Sequence, residues 1–87
     1  MPYISKNDRP KFDDILTVLK NKLPEIKTEG ELNYLITSIL NVYLQQKGER
    51  YATYNDIIGV LECAKLEYYR RKVATYENIK IINNGDV

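Results

Sequence analysis

Apolar residues recur at the spacing of a helix along almost the whole chain. Phe12, Ile15, Leu16, Leu19 and Leu23 fall on one side of a helical wheel, and Lys11, Asp13, Asp14, Lys20 and Lys22 occupy the other, which predicts a one-faced amphipathic helix. Ser5 and Asp8 have capping-box spacing with Asp in place of the usual Glu or Gln, and Pro10 suits a first helical turn, so the helix opens at one of the two. Pro24 ends it, because the residue before a proline is pushed out of the helical region.

Thr28-Glu29-Gly30-Glu31 is a full capping box and starts a second helix. That helix is predicted to run to Lys47 and stop at Gly48, where a glycine can take the left-handed conformation that closes a helix. From Leu32 to Gln46 there is no charged residue. The run is shorter than the ~20 apolar residues of a membrane span, and it carries Asn and Gln. On the wheel its aliphatic and Tyr side chains spread over about half the circumference, more than one neighbouring helix covers.

Thr53 and Asp56 repeat the cap spacing and predict a third, longest helix from Tyr54 to Ala74. It has two apolar stripes. Tyr54, Ile57, Leu61, Ala64 and Tyr68 read as a core face, while Gly59, Leu66, Tyr69 and Val73 lie nearly opposite. A helix apolar on both sides is central in a bundle or shared with another subunit. The stretch from Ala74 to Ile79 echoes that from Ala52 to Ile57, so Thr75 is a candidate cap for a short final helix after a kink. Residues 83–87 read as a C-terminal tail and 1–6 as an N-terminal arm.

The whole chain, residues 1–87, therefore reads as a single all-α domain, a small bundle of three main helices with room for a short fourth at the C-terminus. Thirteen Lys and Arg face twelve Asp and Glu, a net charge of +1, so no overall field draws the molecule to nucleic acid or to a membrane surface. The start of the chain lacks the basic and apolar regions of a secretory leader, and the single Cys63 suits a reducing compartment, so a cytoplasmic location is expected.

Chemistry is sparse. One Cys without any His cannot form a Cys–His nucleophile pair, and a metal site would have to be assembled from carboxylates and one thiol. No catalytic residue, metal site or cofactor is expected, and Cys63 reads as a small packing residue. The four glycines are scattered and form no phosphate loop. Cations and aromatics interleave in one place only, where Lys65, Tyr68, Tyr69, Arg71, Lys72 and Tyr76 would suit a nucleotide or cyclic dinucleotide whose base stacks while its phosphate is paired. The plainer account pairs Glu67 with Arg70 and Arg71 and lays the Lys stems and Tyr rings over apolar surface.

Met1-Pro2-Tyr3-Ile4-Ser5, the segment from Gly30 to Thr37, the block from Ile57 to Arg71 and the ending Asn84-Gly85-Asp86-Val87 together resemble a family of short uncharacterised proteins encoded by tailed phages, prophages and bacteria. The likeness spans nearly the whole chain. Members often carry Pro after the position of Ala74, where this chain has Thr75. The resemblance implies an accessory protein acting in a host cytoplasm; it carries no activity and no site residues.

The expected function is a non-enzymatic interaction module that self-associates and binds a host component. Leu35, Val42, Leu44, Gly59, Leu66, Tyr69 and Val73 are its candidate oligomer interface. The alternative is a binder of a small anionic ligand such as a nucleotide, through the six residues named above. A second alternative is a nucleic-acid-binding regulator. It ranks lower because the connection from Gly48 to Thr53 is longer than the ~3–4-residue turn of a helix-turn-helix and the net charge is near zero, so neither nucleic acid nor membrane is an expected partner.

Overall fold

The computed structural model describes residues 4–87. Among them there is no strand. Three main helices follow one another: α1 (Asp13–Lys22), α2 (Glu29–Lys47) and α3 (Tyr51–Tyr68), the last continued by a π-helical turn (Tyr69–Val73) into α4 (Ala74–Asn84). Short 3₁₀ turns at Lys6–Asp8 and Pro10–Phe12 lead into α1, and another at Leu23–Glu25 follows it.

The helix ends of α2 follow from its sequence. Thr28 has extended backbone, and its hydroxyl accepts the Glu31 N–H at 3.1 Å. The Glu31 carboxylate reaches back one residue further than a standard capping box, accepting from the Lys27 N–H at 3.1 Å as well as from the Thr28 hydroxyl. At the other end the Gly48 N–H donates to the Leu44 carbonyl at 2.8 Å. Its φ of 89° and ψ of 152° are open to glycine but not to other L-residues. Gly48, Glu49 and Arg50 alone then turn the chain into α3.

Three local expectations are corrected. Ser5 makes no backbone cap, and its hydroxyl instead meets the Asp8 carboxylate at 3.3 Å. Thr53 is not an N-cap, since Arg50 holds the extended cap conformation and the Tyr54 N–H already donates to the Arg50 carbonyl at 3.1 Å. Thr53 lies inside the first turn, 2 % exposed, and its hydroxyl has no hydrogen-bond partner among the described residues. Thr75 caps nothing either. Its hydroxyl donates to the Arg71 carbonyl one turn back at 3.1 Å, and the helix runs through Ala74 without a break. With Thr rather than Pro at this position the backbone keeps its N–H and the rod continues. The helix extends to Asn84 and closes on Gly85, whose φ is 87°, so the tail is shorter than the expected 83–87. Of the expected arm, residues 1–3 lie outside the described residues, and Lys6 already belongs to a 3₁₀ turn.

The rod from Tyr51 to Asn84 is about 50 Å long at ~1.5 Å per residue, and it sets the longest dimension of the molecule, 50 Å. The bundle is open. Helices α2 and α3 approach each other, but α1 comes within 8 Å, Cα to Cα, of neither. The radius of gyration is 16.6 Å, against about 12 Å for a compact chain of this length.

No apolar residue among those described is buried. The predicted core stripe of α1 is in water, with Ile15 61 % and Leu23 60 % exposed, and so is much of that of α3, with Tyr68 65 % exposed. Ile26, Leu35, Leu40, Leu44, Ile57 and Val73 are half-buried. The reading of these stripes as a core internal to one chain is therefore overturned. The reason is geometric: a three-residue turn and a continuous rod leave α2 facing α3 along a limited length, and α1 does not fold over them.

At fixed protein concentration, Thr28→Ala should lower unfolding free energy by about 0.5–2 kcal/mol. Denaturant melts followed by circular dichroism measure it, and an unchanged midpoint would show that the cap contributes nothing.

Candidate functional site

The π turn organises the chemistry-bearing segment. Ala74 N–H donates to the Tyr69 carbonyl, five residues back rather than four, which inserts one residue into the helix. At about 100° per residue, everything beyond the turn is rotated by one position relative to an uninterrupted wheel. Tyr69 and Glu77, eight apart, are thereby brought into line, and the Tyr69 hydroxyl donates to the Glu77 carboxylate at 2.8 Å. This clasp spans the turn.

The six residues proposed as an anion site do not converge on one surface. Tyr68, Arg71 and Lys72 border one cleft of about 700 Å³. The other three do not line it. Lys65 pairs with Glu62 at 3.2 Å, Tyr69 is held by Glu77, and the Tyr76 ring lies under the Lys80 ammonium at 5.4 Å. Lys65 and Tyr69 lie off the cleft face on a uniform wheel as well, so the π turn re-aims only the residues that follow it, and no residue type in Tyr69–Val73 announces that turn.

The cleft runs along α3 beside the end of α2. Tyr43 contributes from α2, and Gly59, Val60, Cys63 and Ala64 form an apolar middle. Asn55 and Asp56 lie at its N-terminal end, while Arg71 and Lys72 lie at its C-terminal end. Sequence reasoning missed Tyr43, Asp56, Val60 and Cys63 as partners in one surface. Their i, i+4 and i+3 spacing was visible on α3, but Tyr43 joins them only through the α2–α3 turn.

Glu67 sits at the centre of the charge arrangement on this rod. It accepts from both Arg70 and Arg71, as the plainer account expected. The Arg71 hydrogen bond, with the charge of Arg70, outweighs desolvation and holds the Glu67 carboxyl below its usual range. The hydrogen bond to Glu77 raises the Tyr69 phenol, and that to Glu49 raises Tyr54.

Of the candidate oligomer interface, Val42, Leu66 and Tyr69 are 64 %, 57 % and 51 % exposed, and a side chain built on Gly59 would meet nothing within 4 Å. Leu35, Leu44 and Val73 are already half-covered within the chain. Among the described residues no group of three His, Cys, Asp or Glu side chains could hold a metal ion, and no helix is long and apolar enough to cross a membrane. The α2–α3 connection is shorter than expected and falls within the ~3–4-residue range of a helix-turn-helix. Against a DNA-binding reading stands the near-zero net charge.

A family model described as a domain of unknown function, DUF6899, matches residues 1–87. The chain belongs to that family. No curated protein and no solved structure matches it. The DUF6899 match thus agrees with the resemblance to an uncharacterised family and assigns no activity to the cleft.

Two pH effects follow. The Tyr54 and Tyr69 phenols are raised above their ordinary value, so the hydrogen bonds are fully present below the unfolded phenol pKa and fail as pH rises through the folded values. A phenolate absorbance titration should show a late phase that Tyr54→Phe with Tyr69→Phe abolishes; one shared midpoint for all tyrosines would refute it. Glu67 has a folded pKa below its unfolded one, so its contribution is present above the ordinary carboxylate value and disappears as pH falls through the folded value. Glu67→Gln should accordingly lower the melting temperature at neutral pH and make little difference in acid, and an equal effect at both would exclude the ion pair as its cause.

Proposed function

We propose that this DUF6899 protein is a non-enzymatic interaction module whose folded form is a self-associated one, acting in the cytoplasm as an accessory protein of phage or prophage type that engages a host component. The single observation that carries the self-association is the uncovered apolar surface. A folded monomer of 10.2 kDa exposes about 5,300 Å², whereas this chain exposes 8064 Å².

The excess, roughly 2,700 Å² per chain, is several times the ~800 Å² that each partner buries in an interface of standard size. It falls on the residues that sequence periodicity marks as core. Burying one Leu, Ile, Val or Phe side chain contributes about 1.5–3 kcal/mol, and ordering each backbone residue costs ~1–2 kcal/mol. With no aliphatic fully buried among the described residues and only six of the larger ones half-buried, the chain has little of the term that offsets that cost. Obligate assemblies have this form, in which each subunit resembles part of a core cut open.

Copies of the same chain are the occupant favoured by the chemistry, since the exposed stripes of α1, α2 and α3 are all aliphatic and aromatic and suit one another. The anion-binding reading has less support, because only Tyr68, Arg71 and Lys72 of its six residues border the cleft.

Sedimentation velocity at micromolar concentration should give a dimer or larger species with a melting temperature that rises with protein concentration. Leu66→Glu and Val42→Glu, at positions exposed in the single chain, should dissociate it and reduce helicity. A fully helical monomer with a concentration-independent melt would overturn the proposal. Melting in the presence of a nucleotide panel separates the alternative, for which a stabilising shift would be required.

A further inference from the structure

We infer that the cleft along α3 is a self-complementary surface that receives α3 of a second copy in antiparallel orientation, about a two-fold axis passing beside Cys63 and Ala64. The inference rests on the self-association proposed above and assigns it a face and a symmetry.

Charge placement carries it. Asp56 is at one end of the cleft and Lys72 at the other, both exposed, and neither makes an ion pair among the described residues. They are equidistant in sequence from Ala64. A two-fold axis at that position therefore sets Asp56 of each copy against Lys72 of the other, twice. A parallel pairing in register sets like against like, which is disfavoured.

The residues between these ends fit the close approach that pairing needs. Gly59, Cys63 and Ala64 are small and line the same cleft, and the space over Gly59 is open. In the antiparallel arrangement Gly59 lies near Tyr68 of the other copy, so the recess at one end takes the ring presented at the other. Isologous contacts of this kind close after two subunits. The excess exposed area is larger than one helix pair covers, so this contact accounts for part of it and the α1 stripe is covered elsewhere.

Cys63 is the only cysteine in the chain and is exposed, so it reports on the axis without further engineering. Mild oxidation of the full-length protein, or a short bismaleimide, should link two copies through Cys63 in high yield, and Cys63→Ser should abolish the link. Asp56→Lys and Lys72→Asp should each weaken association about tenfold or more, and the double reversal should restore it. Gly59→Leu should dissociate the assembly, whereas Gly59→Ala should be tolerated.

The outcomes separate the two ideas. An oligomer by sedimentation that neither links at Cys63 nor responds to the charge reversals overturns this face and leaves self-association standing. A monomer overturns both. A monomer stabilised by a nucleotide, with the stabilisation lost in Lys72→Asp, would give the cleft to a small anion instead.

Discussion

An amphipathic helix is stable when its apolar stripe is removed from water, and in this chain no stripe is removed completely. Thr53 is the one fully buried residue among those described, and it is polar. The regular capping and turn chemistry shows that the backbone is well specified locally: Thr28 and Glu31 close one end of α2, Gly48 the other, and Gly85 ends α4. Local order without a core is the combination expected of a subunit rather than of a free-standing domain. With a single cysteine and no buried aliphatic among the described residues, the chain has neither of the usual stabilising features of a domain this small, which is the motive for the proposed association.

The π turn is the second organising feature. By adding one residue to the rod between α3 and α4, it turns the α4 side chains relative to those of α3 and lines up Tyr69 with Glu77. In the cationic run, Arg70 and Arg71 pair with Glu67 at ordinary helical spacing. Arg71 and Glu67 also border the cleft, with Lys72 and Tyr68 at its end. A segment that looks like one basic patch in sequence thus becomes an internal ion-pair cluster and a separate exposed ammonium.

Short connections limit what one chain can cover. The turn formed by Gly48, Glu49 and Arg50 is tight enough to bring α2 beside α3, and it creates the cleft between Tyr43 and the Gly59–Ala64 segment. Helix α1 is joined to α2 through the 3₁₀ turn Leu23–Glu25 and then Ile26, Lys27 and Thr28, yet it packs on neither long helix. Its aliphatic face therefore stays exposed, as much of the α3 face does.

Helical class, the number of main helices and the bounds of α2 were legible in the sequence, because periodicity and capping are encoded within a few residues of where they act. The plain pairing of Glu67 with Arg70 and Arg71 was legible for the same reason. The true start of α3 at Tyr51 was not, since Thr53 has the residue type of a cap but is carried inside the helix by the turn that precedes it. Nor was the division of the six candidate anion-binding residues, because the cleft takes its position from the approach of α2 to α3, and a π turn that no local signal marks re-aims the residues beyond it. Periodicity identifies which side chains must leave water; it cannot say whether the chain's own helices reach far enough to cover them. That was decided by the geometry of two turns and one continuous rod, which left the predicted core on the outside.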